Sequence, residues 1–241
     1  MDSSKIIGAK IAAAAGGFQA VAAMPAYARA GILLKISEEI EKESEAFAGL
    51  ICEEVFKPIK DARKEVARAA FNFRWAGEEA RRFGGELFPL DFDASSVGRT
   101  AFIKRVPLGP CGFITPFNFP LNLVAHKAAP AMAIGASFVL KPASVAVRTA
   151  QKLRDIALKA GWPAEAFQLA VCRGAEAMEI VKDPRLKVIS FTGFQKRPYA
   201  LRRNQGVGRR TGRDTLRDGR INGNKNAFNQ AVAVTAQVDR L

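Results

Sequence analysis

The chain predicts an α/β protein: a Rossmann-like parallel sheet with flanking helices, preceded by two long N-terminal helices and followed by an irregular basic tail. Three observations predict this. Residues 31–80 place apolar side chains at three- and four-residue spacings, the period of helices that bury one face. Residues 111–191 alternate short apolar runs with helix-like stretches, the pattern of parallel strands joined by right-handed crossovers. Beyond residue 194 the chain turns Arg-, Gly- and Asn-rich, a composition that buries too little apolar surface to order itself.

In order along the chain, residues 31–58 read as one amphipathic helix, with Leu33, Ile36, Ile40, Phe47, Ile51 and Val55 on its apolar stripe. Asp61 is placed to cap a second helix. There Ala62, Val66, Ala69, Phe73, Ala76 and Ala80 alternate four and three apart, and Gly84 with Gly85 ends it. The two helices are expected to pack side by side. Residues 86–105 change to short β-prone pieces, either a protruding hairpin or a connector. Strands are expected at 111–115, 137–141, 167–171 and 187–191. Helices are expected at 121–134, from Ser144 as N-cap to a stop at Gly161 and Pro163, and at 175–181. In such sheets ligands bind at the carboxyl ends of the strands. Residues 115–120, 141–144, 172–174 and 192–194 therefore form the expected ligand edge.

The bulk properties narrow the class. A length of 241 residues at 49% hydrophobic supports one or two domains with an ordinary core. No apolar run reaches the roughly 18 residues of a membrane span, so no membrane partner is expected. The first 17 residues are basic then Ala/Gly-rich and lead into helix-like sequence, which favours a cytoplasmic helix over a signal peptide. Cys52, Cys111 and Cys172 share no metal-ligand spacing and read as reduced thiols, small buried hydrophobes rather than nucleophiles. His126 stands without a second histidine and reads as a packed or hydrogen-bonded residue. The net charge of +14 is unevenly spread: residues 195–241 hold 11 Lys/Arg against 3 Asp/Glu, so the basicity belongs to the tail.

Three motifs carry a resemblance. Residues 107–121, PLGPCGFITPFNFPL, resemble the aldehyde dehydrogenase signature around the active-site asparagine. Residues 138–144, FVLKPAS, resemble that family's adenosine-ribose segment, and residues 189–193, ISFTG, its pyrophosphate turn. The similarity runs from about residue 30 to about 193, with a weak leaning toward the lactaldehyde and succinate-semialdehyde branch. It implies a truncated aldehyde dehydrogenase fold, with residues 1–194 an incomplete cofactor-binding domain and 195–241 a tail. It also implies NAD or NADP as cofactor, a small aldehyde as substrate, no metal, and the family's homo-oligomer without its C-terminal contact strand.

Residue by residue, the resemblance implies that Asn118 donates its side-chain amide to the oxyanion formed when a thiolate attacks the aldehyde. A fixed neutral dipole suits that task. Asn is also a common helix N-cap, the other use open to Asn118. Ile114, Thr115, Pro116 and Phe117 are implied to line the cofactor. Lys141 would hold the adenosine-ribose hydroxyls, or else be a solvated strand-end lysine. Ser144 stands where many members carry Glu. Without that acid a 2′-phosphate is not repelled, so NADP stays open; Ser144 could equally be an N-cap. Gly193 would admit the backbone to the pyrophosphate. Phe194 follows it where the family places Ser, and Pro198 falls in the next expected turns.

The family reaction further requires a nucleophilic cysteine and a glutamate that activates water for deacylation. The acidic-Leu-Gly-Gly segment of that glutamate and the cysteine beyond it do not occur, so an inactive product is expected. A shifted reading frame is one source: codons for residues 213–219, read one base later, can encode Val-Thr-Leu, a variable residue, then Glu-Met-Gly. Three readings follow. The first is membership of NAD(P)-dependent aldehyde oxidation without activity. The second is a non-catalytic cofactor-binding or heteromer-forming module. The third, disfavoured by the tail's few aromatics, is nucleic-acid association through its arginines.

Overall fold

The computed structural model describes residues 1–193 and the strand at 232–240. The helix expected at the start of the chain precedes the two long ones, and the first of those two is split, so four helices lead into the sheet. They are α1 (Ser4–Ala22), α2 (Ala26–Lys42), α3 (Ser44–Val55) and α4 (Ile59–Arg82). The single helix read over 31–58 breaks at Glu43, which closes α2 and opens α3. Both halves keep their apolar stripe on one core, Leu33, Ile36 and Ile40 from α2 and Phe47 and Ile51 from α3. Periodicity is therefore satisfied on either side of the break and does not reveal it. Pro58, not Asp61, stands at the N-cap of α4, and Asp61 lies in its first turn. Pro sits well at a helix start because the first N–H groups lack intrahelical acceptors anyway. In α4, Ala62, Val66, Ala69, Phe73, Ala76 and Ala80 are all buried, as their spacing predicts.

Four parallel strands form the main sheet: β3 (Cys111–Ile114), β4 (Phe138–Lys141), β5 (Phe167–Leu169) and β6 (Val188–Phe191). The helices between them are α5 (Asn122–Ile134), α6 (Val147–Lys159) and the short α7 (Met178–Lys182). The spatial order is β5-β4-β3-β6. The chain thus steps outward from β3 through β4 to β5, then returns to lay β6 on the opposite side of β3. The strand order reverses between β3 and β6, and such a reversal opens a crevice at the carboxyl ends of the two strands. Phe113, Phe138 and Phe167 line up across β3, β4 and β5 with ring centroids 5.2 and 4.5 Å apart, a continuous aromatic core beneath that edge. Gly112 allows β3 to lie close to its neighbours. A Cβ there would stand 2.7 Å from Ile180 and 2.8 Å from Ile189.

Residues 86–105 are a hairpin: β1 (Glu86–Pro89) pairs antiparallel with β2 (Arg99–Pro107). A third strand, β7 (Val232–Arg240), pairs along the whole of β2, from Arg99 opposite Arg240 to Pro107 opposite Val232. The tail was expected to carry no element, and over this stretch it carries a strand. Its β-branched residues at 232, 234, 235 and 238 favour one. The remainder of the tail lies outside the described residues. Among the described residues no single helix is long and apolar enough to cross a membrane.

Candidate functional site

The loop after β3 begins with Thr115, buried, whose N–H donates to the carbonyl of Lys141 at 3.1 Å. On the other side, the Thr192 N–H donates to the carbonyl of Ile114 at 3.0 Å. In register, Ile114 stands opposite Lys141 on β4 and Phe191 on β6. The loops carrying Thr115, Lys141 and Thr192 therefore leave one edge of one sheet side by side. Gly193 continues the third loop at φ +157, where a Cβ would stand 3.0 Å from the Phe191 ring, so a side chain there would be strained as well as crowded.

Lys141 is 8% exposed and, among the described residues, has no acidic partner, which excludes the solvated strand-end lysine. An ammonium in that setting favours an electron-rich ligand. Ser144 is exposed and does not cap α6, whose N-cap is Ala146; its hydroxyl donates to the Cys172 carbonyl at 3.3 Å. The cap comes from α3 instead. Glu54 accepts the backbone N–H of Arg148 at 2.6 Å and of Thr149 at 3.0 Å. Phe194 and Pro198 lie outside the described residues.

Phe117, Asn118 and Phe119 project from the edge, Phe117 at 59% and Phe119 at 40% exposure. Asn118 is exposed and is not the N-cap of α5, a position held by Leu121, so the capping alternative falls. Here too a distant carboxylate serves. Glu65 of α4, fully buried, accepts the N–H of Leu121 at 2.9 Å and of Asn122 at 3.1 Å. Its other oxygen accepts from Lys57, which also donates to the Asn118 carbonyl at 2.6 Å and lies 4.0 Å over the Phe119 ring. A cleft of about 420 Å³ opens beside these groups, lined by Asn118 and Phe117 and by Lys57, Lys64 and Arg68 of the α3–α4 region. Local sequence signals pointed at none of Lys57, Glu65 or Glu54, because their partners are distant in the chain.

A further unpredicted group links α5 to the main sheet. Lys127 of α5 is buried and donates to the Ser190 hydroxyl of β6 at 2.7 Å. Desolvation pulls its ammonium down to about 8. The thiols behave otherwise. Burial pushes Cys111 up to about 12. Burial also raises Cys172, outweighing the nearby Lys141 ammonium, which acts the other way. Neither is a thiolate near neutral pH. Cys52 is half-buried on α3, and His126 is half-buried on α5.

The aldehyde dehydrogenase family profile matches residues 2–206. The chain belongs to the aldehyde dehydrogenase family. The match reaches well before residue 30, where the sequence resemblance began, so α1 belongs to the family domain. Aspartate-semialdehyde dehydrogenase 1 of Pseudomonas canavaninivorans is 40% identical over 177 residues, covering 73% of this chain and 38% of the relative. A 3-sulfolactaldehyde dehydrogenase of Priestia aryabhattai is 38% identical over 182 residues, covering 75% and 38%. Among solved structures, aldehyde dehydrogenase 21 of Physcomitrella patens, in complex with the reaction product succinate, superposes with a TM-score of 0.76 at 41% identity, over 78% of this chain and 39% of its own. The NADP complex of glyceraldehyde-3-phosphate dehydrogenase GapN from Methanocaldococcus jannaschii gives 0.74 at 33% identity, over 79% and 41%. This aldehyde dehydrogenase chain thus spans about two fifths of the length of the relatives it matches. The family's cofactors are NAD and NADP.

Proposed function

We propose that the chain supplies the nucleotide-gripping and oxyanion-stabilising part of an NAD(P)-dependent aldehyde oxidation. The observation that carries this reading is the convergence of the Thr115, Lys141 and Gly193 loops on the crevice where the strand order reverses. The residues fit a dinucleotide. Gly193 carries no side chain at the turn beyond β6, where a Cβ would crowd the Phe191 ring, and the Lys141 ammonium stands without a protein counter-charge among the described residues. Ile114, Thr115, Pro116 and Phe117 would line the nicotinamide side, with Lys141 and Ser144 at the ribose end. When bound, the cofactor supplies the hydride acceptor.

Asn118 would point its neutral amide at the developing oxyanion, a donor worth roughly a hundred- to thousandfold in rate. The protonated thiols Cys111 and Cys172 support the view that the nucleophile is not among them. The cleft also bears on the substrate class. Of the cations on its walls, Lys57 pairs with Glu65 and Lys64 with Asp61, which leaves the Arg68 charge without an acidic partner among the described residues; the relatives named above act on aspartate semialdehyde and 3-sulfolactaldehyde or hold succinate. We therefore assign a short aldehyde carrying a distal anionic group.

Calorimetric titration with NAD and NADP tests the reading. Saturable binding that Lys141→Ala weakens about tenfold or more is expected, by loss of a charge-assisted contact. Binding by neither cofactor overturns it. A parallel assay of NAD(P)H formation with succinate semialdehyde should show no turnover by the chain alone, and measurable turnover would refute the assignment of the thiols.

A further inference from the structure

The contacts beneath Asn118 have a shape of their own. Lys57, between α3 and α4, and Glu65, on α4, are remote in sequence from the loop they touch. Between them they hold four of its residues. Lys57 takes the Asn118 carbonyl and covers the Phe119 ring, while Glu65 takes the Leu121 and Asn122 amides. Asn122 is held a second time, its Oδ1 accepting from the Asn72 side chain of α4 at 2.9 Å. The Lys57 side chain is 12% exposed and that of Glu65 is fully buried, so both charges are largely out of water and each neutralises the other. A desolvated, mutually satisfied pair of this kind loses much more on removal of one partner than an exposed pair does. Asn118 itself stays exposed and lines the cleft beside Phe117 and Phe119.

We propose that Lys57 and Glu65 are positioning residues for Asn118: a two-residue clamp that fixes the backbone on either side of the oxyanion donor so that its amide is aimed before substrate arrives. The proposal rests on the reading of Asn118 given above. A donor aimed beforehand costs no reorganisation during the reaction, which is where much of its catalytic value lies. Lys57 and Glu65 also line the cleft, so cleft wall and oxyanion donor rest on the same two supports.

The test uses the whole chain, isotopically labelled, with the Asn118 side-chain resonances identified by their loss in Asn118→Ala. In the unaltered protein a scalar coupling across the hydrogen bond between Lys57 Nζ and the Asn118 carbonyl carbon is expected. A freely rotating Lys57 ammonium without that coupling overturns the clamp and requires no variant to fold. Lys57→Met should shift the Asn118 side-chain amide, and Lys57→Arg should return it toward its original position. Glu65→Gln should speed exchange of the Leu121 and Asn122 amides about ten- to hundredfold, the loss of a charge-assisted acceptor. An unmoved Asn118 amide in a folded Lys57→Met protein overturns the proposal.

Titration with succinate in the presence of NADP separates the two readings. Lys57→Met should weaken the succinate response of Asn118 about tenfold more than Lys64→Met, which removes the same charge from the cleft without touching the clamp. If the two variants are equal, the clamp falls and the role of Asn118 stands. If Asn118 never responds to succinate in the unaltered protein, the role falls, while the coupling and exchange measurements still decide the clamp.

Discussion

The helices α5 and α6 both start at the ligand edge, and both have their first amides satisfied by a carboxylate borrowed from another helix. Glu65 serves α5 from 56 and 57 residues away, and Glu54 serves α6 from 94 and 95 residues away. The settings differ. Glu65 is fully buried and ion-paired to a lysine that is itself mostly covered. Glu54 is only half-buried, and its neighbour Glu53 meets Arg148 at 2.8 Å on an exposed surface. The helices follow suit: α5 is buried along nearly its whole length, whereas α6 buries one stripe of Thr149, Ala150, Leu153, Ile156 and Ala157. One device at two depths should therefore carry two different weights.

The largest effect is expected at the deep cap. Glu65→Ala leaves two amides at the start of α5 without their acceptor and the mostly covered Lys57 without its counter-charge, and should destabilise the chain by about 3–5 kcal/mol, read from chemical denaturation. Glu54→Ala should cost about 1 kcal/mol, the ordinary value of a helix cap. Equal losses at the two sites would break the comparison.

Lysines sharpen it between those extremes. Lys127 of α5 is buried with its pKa lowered to about 8, whereas Lys152 of α6 is partly exposed and paired with Glu43. A base whose folded pKa lies below its unfolded value of 10.5 binds fewer protons when folded. Its charged form therefore penalises the fold fully below about pH 8, and the penalty is relieved as pH rises toward 10.5. The stability difference between the unaltered chain and Lys127→Met should grow in favour of the unaltered chain across that window, by roughly 3 kcal/mol in total. Taking the difference cancels the opposite slope from Cys111, whose thiol titrates between 9 and about 12. A flat difference curve would show that Lys127 is solvated.

These caps also explain what could and could not be read from the sequence. The order of strands and helices was legible because apolar periodicity is local, and so were the three loops, because each ends a strand with its own short motif. The caps were not legible. Asn118 and Ser144 have the residue types that cap helices and stand close before α5 and α6, yet neither does so. The acceptors used instead are glutamates whose sequence neighbourhood says only that they lie on a helix. Lys127 was hidden for the same reason: its burial depends on β6, which arrives about sixty residues later. The break at Glu43 was invisible because both flanking helices share one apolar face. The smallest expected effect follows from the same correction. Ser144→Ala should change stability by less than about 0.5 kcal/mol, and a loss as large as that of Glu54→Ala would restore Ser144 as the cap.

Gly112 lies two residues before the end of β3, below the mouth of the crevice, and its bare Cα faces Ile180 and Ile189. The ladder sets the spacing of β3 and β6, and the missing methyl group sets how closely α7 lies on that face of the sheet. Enlarging that one residue would push α7 and the segment that leads into β6 away from the sheet, so a ligand at the mouth could lose its fit although every atom able to touch it was unchanged.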